Sequence, residues 1–383
     1  MVSKAGVFGL YVHIPFCVHR CSYCDFFSST EYTPESFRTL NDKLLWEARA
    51  ARAWLEARGL PTRVDTVFFG GGTPSLMPLP ELRRLFAGLA ESFVFAPRAE
   101  ITLEANPETV SEAFAAGLVE NTPVNRVSLG AQSFSARHLK TLERLGSADS
   151  IRTAAARLNA VGISNFNLDL IFGIPGQTAD ELRADIHAVL EQGPKHSSFY
   201  SLTLKPGHRL YGSLPSDDAA AELYEQGRQT YAQYGFEAYE ISNFSLPGFE
   251  SRHNRLYWTG ADYLGLGPSA ASRFFLDGKF HHRKQIAHFA KYLELTAFEQ
   301  PTFEVTTADQ TILEATFLEL RNREGIELAR FRRRYGFDLA RSPQLPLFVR
   351  EKMIECDEQS LRLTPKGWLL AEGIATRLLE AAR

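Results

Sequence analysis

The chain has 383 residues, 44% of them apolar and 23% charged, with a net charge of −3 and a pI near 6.4. A chain this long buries a sizeable core and is expected to hold one large domain and a smaller one. Its near-neutral balance excludes a global field drawing it to nucleic acid or an anionic membrane, and no apolar run approaches the roughly 20 residues that span a bilayer.

The first strand is expected over 8–14. Lys4 precedes it, but His13 and Pro15 break the apolar run, so the start does not read as a secretory signal. A cytoplasmic, reducing location follows, with no nucleic-acid partner and no stable membrane insertion. Directly after the strand come Cys17, Cys21 and Cys24, three of the four cysteines of the chain.

A long helix is predicted over 34–58, with Thr33 as N-cap and Gly59 and Pro61 ending it. A strand over 64–69 runs into Gly70, Gly71, Gly72 and Thr73. A helix over 80–92 leads to a strand over 100–104 that ends on Glu104. A strand over 125–130 has Gln132 just past its end, and helices over 136–145 and 148–160 follow. A strand over 165–171 carries Asp169 near its end, then come a helix over 178–191 and a strand over 198–203. Six strands alternating with helices predict a parallel α/β sheet, and the regular connections favour a partial (β/α)6 barrel over a doubly wound sheet.

Beyond a helix over 217–234, residues 236–285 read as irregular. Helices are predicted again over 308–320, 328–335 and 345–355, then a strand and turn over 361–367 and a last helix to the terminus. These form a winged-helix-like appendage. Three parts follow: a barrel over 1–235, an intervening segment over 236–300 and a helical domain over 301–383. The run of arginines at 330 and 332–334 reads as a solvated helix face rather than a nucleic-acid contact.

Three thiolates spaced C-x3-C-x2-C can hold three irons of a [4Fe-4S] cluster and leave the fourth iron open to a ligand. Structural zinc is the alternative, with His13 or His19 as fourth donor. Cys356 stands far away and reads as a buried apolar residue. Gly70 to Gly72 allow backbone to approach a ligand closely. Glu104, Gln132 and Asp169 share the C-terminal rim of the strands, where barrel enzymes place their chemistry. Taken singly, each could be a helix cap or a turn residue.

The cysteine motif, with Tyr23 before its last cysteine, resembles that of radical S-adenosylmethionine (SAM) enzymes. Segments 11–17, 69–74, 130–134, 169–177 and 239–244 are similar to the coproporphyrinogen dehydrogenase-like branch of that superfamily. The resemblance covers nearly the whole chain. It implies that Cys17, Cys21 and Cys24 hold the cluster and that SAM ligates the open iron, to be cleaved reductively to a 5′-deoxyadenosyl radical. It implies SAM contacts for Tyr11, Tyr23, Gly71, Gly72, Thr73, Glu104, Gln132, Arg144 and Asp169. Relatives commonly carry a histidine two positions after this arginine, where Gly146 stands here, which puts any proton transfer at that point in doubt.

The branch contains an oxygen-independent coproporphyrinogen III oxidase, a haem-chaperone type, and haem-degrading radical enzymes. Three features favour the chaperone type. Only sixteen residues precede Cys17, Phe26 stands where the oxidase has a further cysteine, and residues 253–258 match an H-N-x-x-Y-W motif associated with the chaperones. The resemblance then implies haem as a third cofactor, associated with segment 236–300. His253 is the candidate axial ligand, Tyr257 and Trp258 flank the porphyrin, and Arg252, Arg255 or Arg273 pair with propionates. His281 and His282 are the lesser candidates for the iron. An electron donor, recipient haem proteins and a possible homodimer complete the expected partners.

Overall fold

The structure is a computed structural model that describes residues 7–380; Lys4 and the last three residues of the expected C-terminal helix lie outside them. Six parallel strands stand side by side in chain order: β1 (Gly9–Ile14), β2 (Arg63–Gly71), β3 (Val94–Ala105), β4 (Arg126–Gln132), β5 (Phe166–Phe172) and β6 (His196–Ser201). The crossovers run through α1 (Pro34–Glu56), α2 (Leu79–Ser92), α3 (Glu112–Asn121), α4 (Ala136–Thr141), α5 (Ala148–Ala160) and α6 (Ala179–Glu191).

The period-2 pattern of each strand divides its side chains between two faces. On β1, Leu10, Val12 and Ile14 are buried in the main apolar core, whereas Tyr11 and His13 face the interior of the curved sheet. Helix α1 starts where expected, with Ser36 Oγ accepting from the Thr33 amide at 3.0 Å. Its buried Leu40, Leu44, Ala48, Ala51 and Leu55 recur every three or four residues and form the stripe that covers the sheet. Helix α4 stops at Thr141, short of the predicted 145, because Glu143 takes a left-handed φ of 56°.

The segment after α7 (Asp217–Gln233) corrects the expectation of irregular chain. It holds β7 (Glu237–Glu240), β8 (Asn243–Ser245), α8 (Arg252–Trp258), β9 (Tyr263–Leu266), β10 (Ala271–Leu276), β11 (Lys279–Lys284), α9 (Phe289–Leu293) and β12 (Glu304–Val305). The strands of this segment extend the sheet at both ends, in the order β12-β11-β10-β9-β1-β2-β3-β4-β5-β6-β8-β7. Strand β9 pairs parallel with β1, while β8 pairs antiparallel with β6. The edges of β1 and β6 are therefore taken by the later segment instead of by each other. That keeps the barrel partial and leaves α8 against its inner wall.

The C-terminal part has its own core. It consists of α10 (Ala308–Leu320), β13 (Ile326–Glu327), α11 (Leu328–Tyr335), α12 (Leu345–Arg350), β14 (Ile354–Cys356), β15 (Ser360–Leu363), α13 (Pro365–Trp368) and α14 (Ala371–Glu380). Strands order as β13-β15-β14, antiparallel, around Phe331, Phe348, Trp368 and Ile374. Helix α12 ends at Arg350 rather than 355, because Lys352 turns the chain at φ 55° and residues 354–356 join β15. Cys356 is half-buried at the end of that strand, more open than expected. The arginine run is more than a solvated face. Arg330 pairs with Glu319, Arg334 donates to the Gly260 carbonyl at 2.8 Å, and Arg332 lies 3.5 Å from Asp338.

Candidate functional site

A cavity of about 840 Å³ opens inside the curved sheet. Every cysteine, strand-end and histidine candidate of the barrel reaches it: Tyr11, Cys17, Cys21, Tyr23, Cys24, Gly71, Gly72, Thr73, Glu104, Gln132, Arg144, Asp169, His253 and Tyr257.

The cysteine loop leaves β1 and closes on itself, with the Cys17 amide on the Ser29 carbonyl at 3.0 Å and the Ser29 amide on that of Pro15 at 2.6 Å. The glycine turn after β2 is tied to it, since the Gly72 and Thr73 amides donate to Ile14 and Phe16 carbonyls at 2.8 and 2.7 Å. A Cβ on Gly72 would stand 2.6 Å from the Phe16 oxygen and 3.0 Å from Cys17 Sγ; one on Gly71, at φ 112°, would strike the His13 ring at 2.6 Å. No larger residue fits either place without moving the loop.

All three thiols are free of disulfides. Thr73 Oγ1 donates to Cys17 Sγ at 3.5 Å and Arg144 Nη1 to Cys21 Sγ at 3.7 Å. A relay supports these donors: Arg144 Nη2 holds the Gly130 carbonyl at 2.8 Å and Asn106 Oδ1 at 2.9 Å, while Asn106 Nδ2 donates to Thr73 Oγ1 at 3.0 Å. Burial pushes the Cys17 and Cys24 thiols up, so a metal centre must supply the charge that makes them thiolates. Three sulfurs, two of them met by a hydroxyl or a guanidinium, are a donor set suited to an iron–sulfur cluster. Among the described residues no three His, Cys, Asp or Glu side chains gather to hold a single metal ion. His13 has both ring nitrogens engaged, Nδ1 with Tyr11 Oη at 3.0 Å and Nε2 with the Phe27 carbonyl at 2.8 Å. Burial lowers it to about 4 and keeps it neutral, and the two hydrogen bonds tie the ring into the base of the cysteine loop. His19 is exposed at the cavity mouth.

Next to the thiols lie two half-buried carboxylates facing the cavity. Burial raises Glu104 to about 8, the charge of Asp169 adds to this, and the Gly71 amide at 3.1 Å works against it. Asp169 is raised by burial as well, opposed by the hydrogen bond from Asn167 Nδ2 at 2.6 Å. Neither stands in an ion pair among the described residues, although Arg126 and Arg144 favour the ionised form of Asp169 from farther off, and both face the cavity, where they can receive a cation. SAM carries a sulfonium and an ammonium, and the residues fit it on this ground. Gln132 holds a left-handed φ of 68° where the β4–β5 register shifts. Backbone strain of this kind persists where the surroundings enforce it. Tyr23 packs beside Leu142, Ile171 and Ile174.

On another wall stands His253, fully buried. Helix α8 is anchored by Glu100, whose carboxylate accepts the Arg252 and His253 amides, both at 2.9 Å. The His253 ring stacks on Phe68 at 5.2 Å, with Nδ1 against Thr66 Oγ1 at 2.8 Å and Nε2 against Tyr257 Oη at 3.0 Å. Burial lowers His253 to about 3, so it is a neutral imidazole over the physiological range.

The expected propionate partners are engaged elsewhere. Arg252 donates to the Arg98 carbonyl at 2.6 Å and Arg255 to Glu324 at 3.0 Å. Arg273 sits under the Tyr257 and Ala261 carbonyls at 3.0 and 3.2 Å. His281 and His282 lie on β11 away from the cavity lining, the latter 2.9 Å from Glu314, and Trp258 carries Arg321 over its ring. Asn106, Phe68 and Arg126, which the sequence does not single out, line the same space. Of these, only Asn106 left a signal, as the polar residue next to Pro107 at a strand end.

Residues 11–189 match the Radical SAM superfamily and residues 306–370 the HemN C-terminal domain. The chain is 35% identical to heme chaperone HemW of Mycobacterium tuberculosis, covering 97% of this chain and 95% of that one. It is 31% identical to heme chaperone HemW of Lactococcus lactis, with 96% of each covered. With heme chaperone HemW of Escherichia coli it shares 38% identity over 74% of this chain and 75% of that one. Among solved structures, coproporphyrinogen III oxidase (HemN) of Escherichia coli, a radical SAM enzyme, has the same fold, with a TM-score of 0.80, 22% identity and 98% and 90% of the two chains covered. With the cysteine loop, the glycine turn and the paired carboxylates gathered in one partial barrel, the chain belongs to the heme chaperone HemW family of the radical SAM superfamily.

Proposed function

We propose that this protein binds haem and delivers it to haem proteins, with a SAM-bound [4Fe-4S] cluster in the same cavity. One observation carries the reading: Cys17, Cys21 and Cys24 share a single continuous space with His253 and Tyr257. The full-length likeness to proteins named heme chaperone HemW supports it. When bound, the cluster supplies an open iron and one electron at a time. Cys17, Cys21 and Cys24 hold it, and Thr73 and Arg144 steady two of the sulfurs. Glu104 and Asp169 receive the positive groups of SAM, with Tyr11, Tyr23, Gly71, Gly72 and Gln132 shaping the remainder of its pocket. His253 is the proposed axial ligand of haem, and Tyr257 must turn its hydroxyl away to free Nε2. Cytoplasmic recipients, an electron donor and a homodimer belong to the same proposal.

The competing activity is decarboxylation of coproporphyrinogen III. Phe26, 65% exposed at the cavity, stands where the oxidases of the branch carry a further cysteine. The test is anaerobic: the protein with its cluster reconstituted receives SAM, a reductant and coproporphyrinogen III, and product is followed by chromatography. Unchanged substrate is expected; robust decarboxylation would make the protein an oxidase.

A further inference from the structure

Below the thiols and carboxylates, the cavity floor holds one positive charge with no partner. Arg126 opens β4, is only 2% exposed, and lines the cavity. Along the strand Arg126, Ser128, Gly130 and Gln132 alternate onto the interior face, so the guanidinium belongs to the cavity and not to the helix layer. Among the described residues it makes no hydrogen bond and no ion pair, and its Nε is buried and orphaned.

The acidic groups nearest in the architecture are already committed. Glu100 accepts from the Arg252 and His253 amides and from Ser251 Oγ. Asp169 takes Asn167 Nδ2, and Glu104 takes the Gly71 amide. Beside Arg126 on β3, its strand partner Thr102 also has a buried hydroxyl oxygen without a partner. A buried guanidinium without a hydrogen-bonded partner is costly to the folded protein, and such costs are retained where a ligand supplies the missing partner. The ligand must bring an anion with planar oxygens, which a guanidinium fork binds in two parallel hydrogen bonds. Arg126, His253 and Asp169 line the same space, so an anion on Arg126 lies within the cavity that both walls enclose.

We propose that Arg126 is the receptor for a propionate carboxylate of the bound porphyrin. The proposal rests on the haem-binding reading above and replaces Arg252, Arg255 and Arg273 in that role. SAM offers the other carboxylate in the cavity, and the experiment separates the two sources.

Haem, haem dimethyl ester and SAM are titrated separately into the cluster-loaded wild type, Arg126→Met and Arg126→Lys, with thermal unfolding of each variant alongside. Arg126→Met is expected to weaken haem binding by on the order of ten- to a hundredfold, the range of one charge-assisted hydrogen-bonded contact. It should leave the ester and SAM unchanged and melt no lower than wild type, since it removes an unpaired buried charge. Arg126→Lys should fall between, keeping the charge without the fork. Unaltered haem affinity in a folded Arg126→Met would overturn the proposal. So would lost SAM affinity with haem retained, which assigns the anion to SAM, or a lower melting point with all three ligands bound as before, which makes Arg126 structural. Failure of the wild type to bind haem at all is a different result and removes the haem-binding reading itself.

Discussion

The imidazole Nε2 of His253 and the hydroxyl of Tyr257, one helical turn apart on α8, meet at 3.0 Å inside the cavity. Burial holds the Tyr257 phenol well above its usual range, so it stays protonated and masks the nitrogen that would ligate iron. Removing the mask is expected to leave the ligand intact. Haem titrated into Tyr257→Phe should give the wild-type axial-ligand band with equal or higher affinity, and His253→Ala should lose it. A band that vanishes in Tyr257→Phe and survives in His253→Ala would make the tyrosine the ligand. Because His253→Ala also removes the Thr66 contact and a buried ring, a stability loss of about 2–4 kcal/mol is expected, so its fold is checked by circular dichroism.

The cluster is expected to depend on three cysteines and not on the fourth. Alanine at Cys17, Cys21 or Cys24 should each abolish bound iron and sulfide after anaerobic reconstitution. Cys356→Ala should retain both, because that thiol sits half-buried on β14 in the C-terminal domain. Iron and acid-labile sulfide analysis decides it, and zinc in place of iron in anaerobically purified protein would displace the cluster assignment.

Gly72→Ala should damage the same centre through the backbone. Its Cβ would press on the Phe16 carbonyl and Cys17 Sγ, against Gly59, where a Cβ meets nothing within 4 Å. We expect Gly72→Ala to lose ~2 kcal/mol or more and most of its cluster, whereas Gly59→Ala, strained only by its φ of 63°, should lose ~1 kcal/mol and keep its iron. Denaturant unfolding and iron content together give the comparison.

Glu104 makes the ligand-free protein sensitive to pH. Its folded value is raised to about 8, by burial above all, against an ordinary 4.5. Between those values the folded state holds a proton that the unfolded chain has released, so stability is fully present below about 4.5 and declines as pH rises to about 8. The melting temperature of SAM-free wild type should therefore fall more steeply across this window than that of Glu104→Gln. Equal slopes would contradict the burial of an uncompensated carboxylate. Adding SAM should flatten the wild-type slope, since a cation against the carboxylate favours its ionised form.

The alternating strands and helices of the barrel were legible because each strand carries its own apolar run and each exit a polar or glycine signal. Glu104, Gln132 and Asp169 could be read as one rim for this reason. Strands β7 to β9 are not legible, being three or four residues long, and β8 and β9 join the sheet through partners distant in the chain, as with Gly9 and Tyr263. Arg126 is hidden in the sequence on similar grounds. At the start of a strand an arginine reads as a solvated edge, and only closure of β3, β4 and β5 around it makes it buried. His13 stands in the sequence as a metal-donor candidate, and its contact with the Phe27 carbonyl exists only in the folded cysteine loop.

The most direct test of a haem-delivering protein is transfer itself. Haem-loaded, cluster-loaded protein is mixed with a haem-free haem protein, and the recipient's absorption spectrum is followed after the two are separated. The account predicts a recipient that gains its haem from the wild type, and loses that gain with His253→Ala. A recipient that stays haem-free while the donor retains its haem would contradict it.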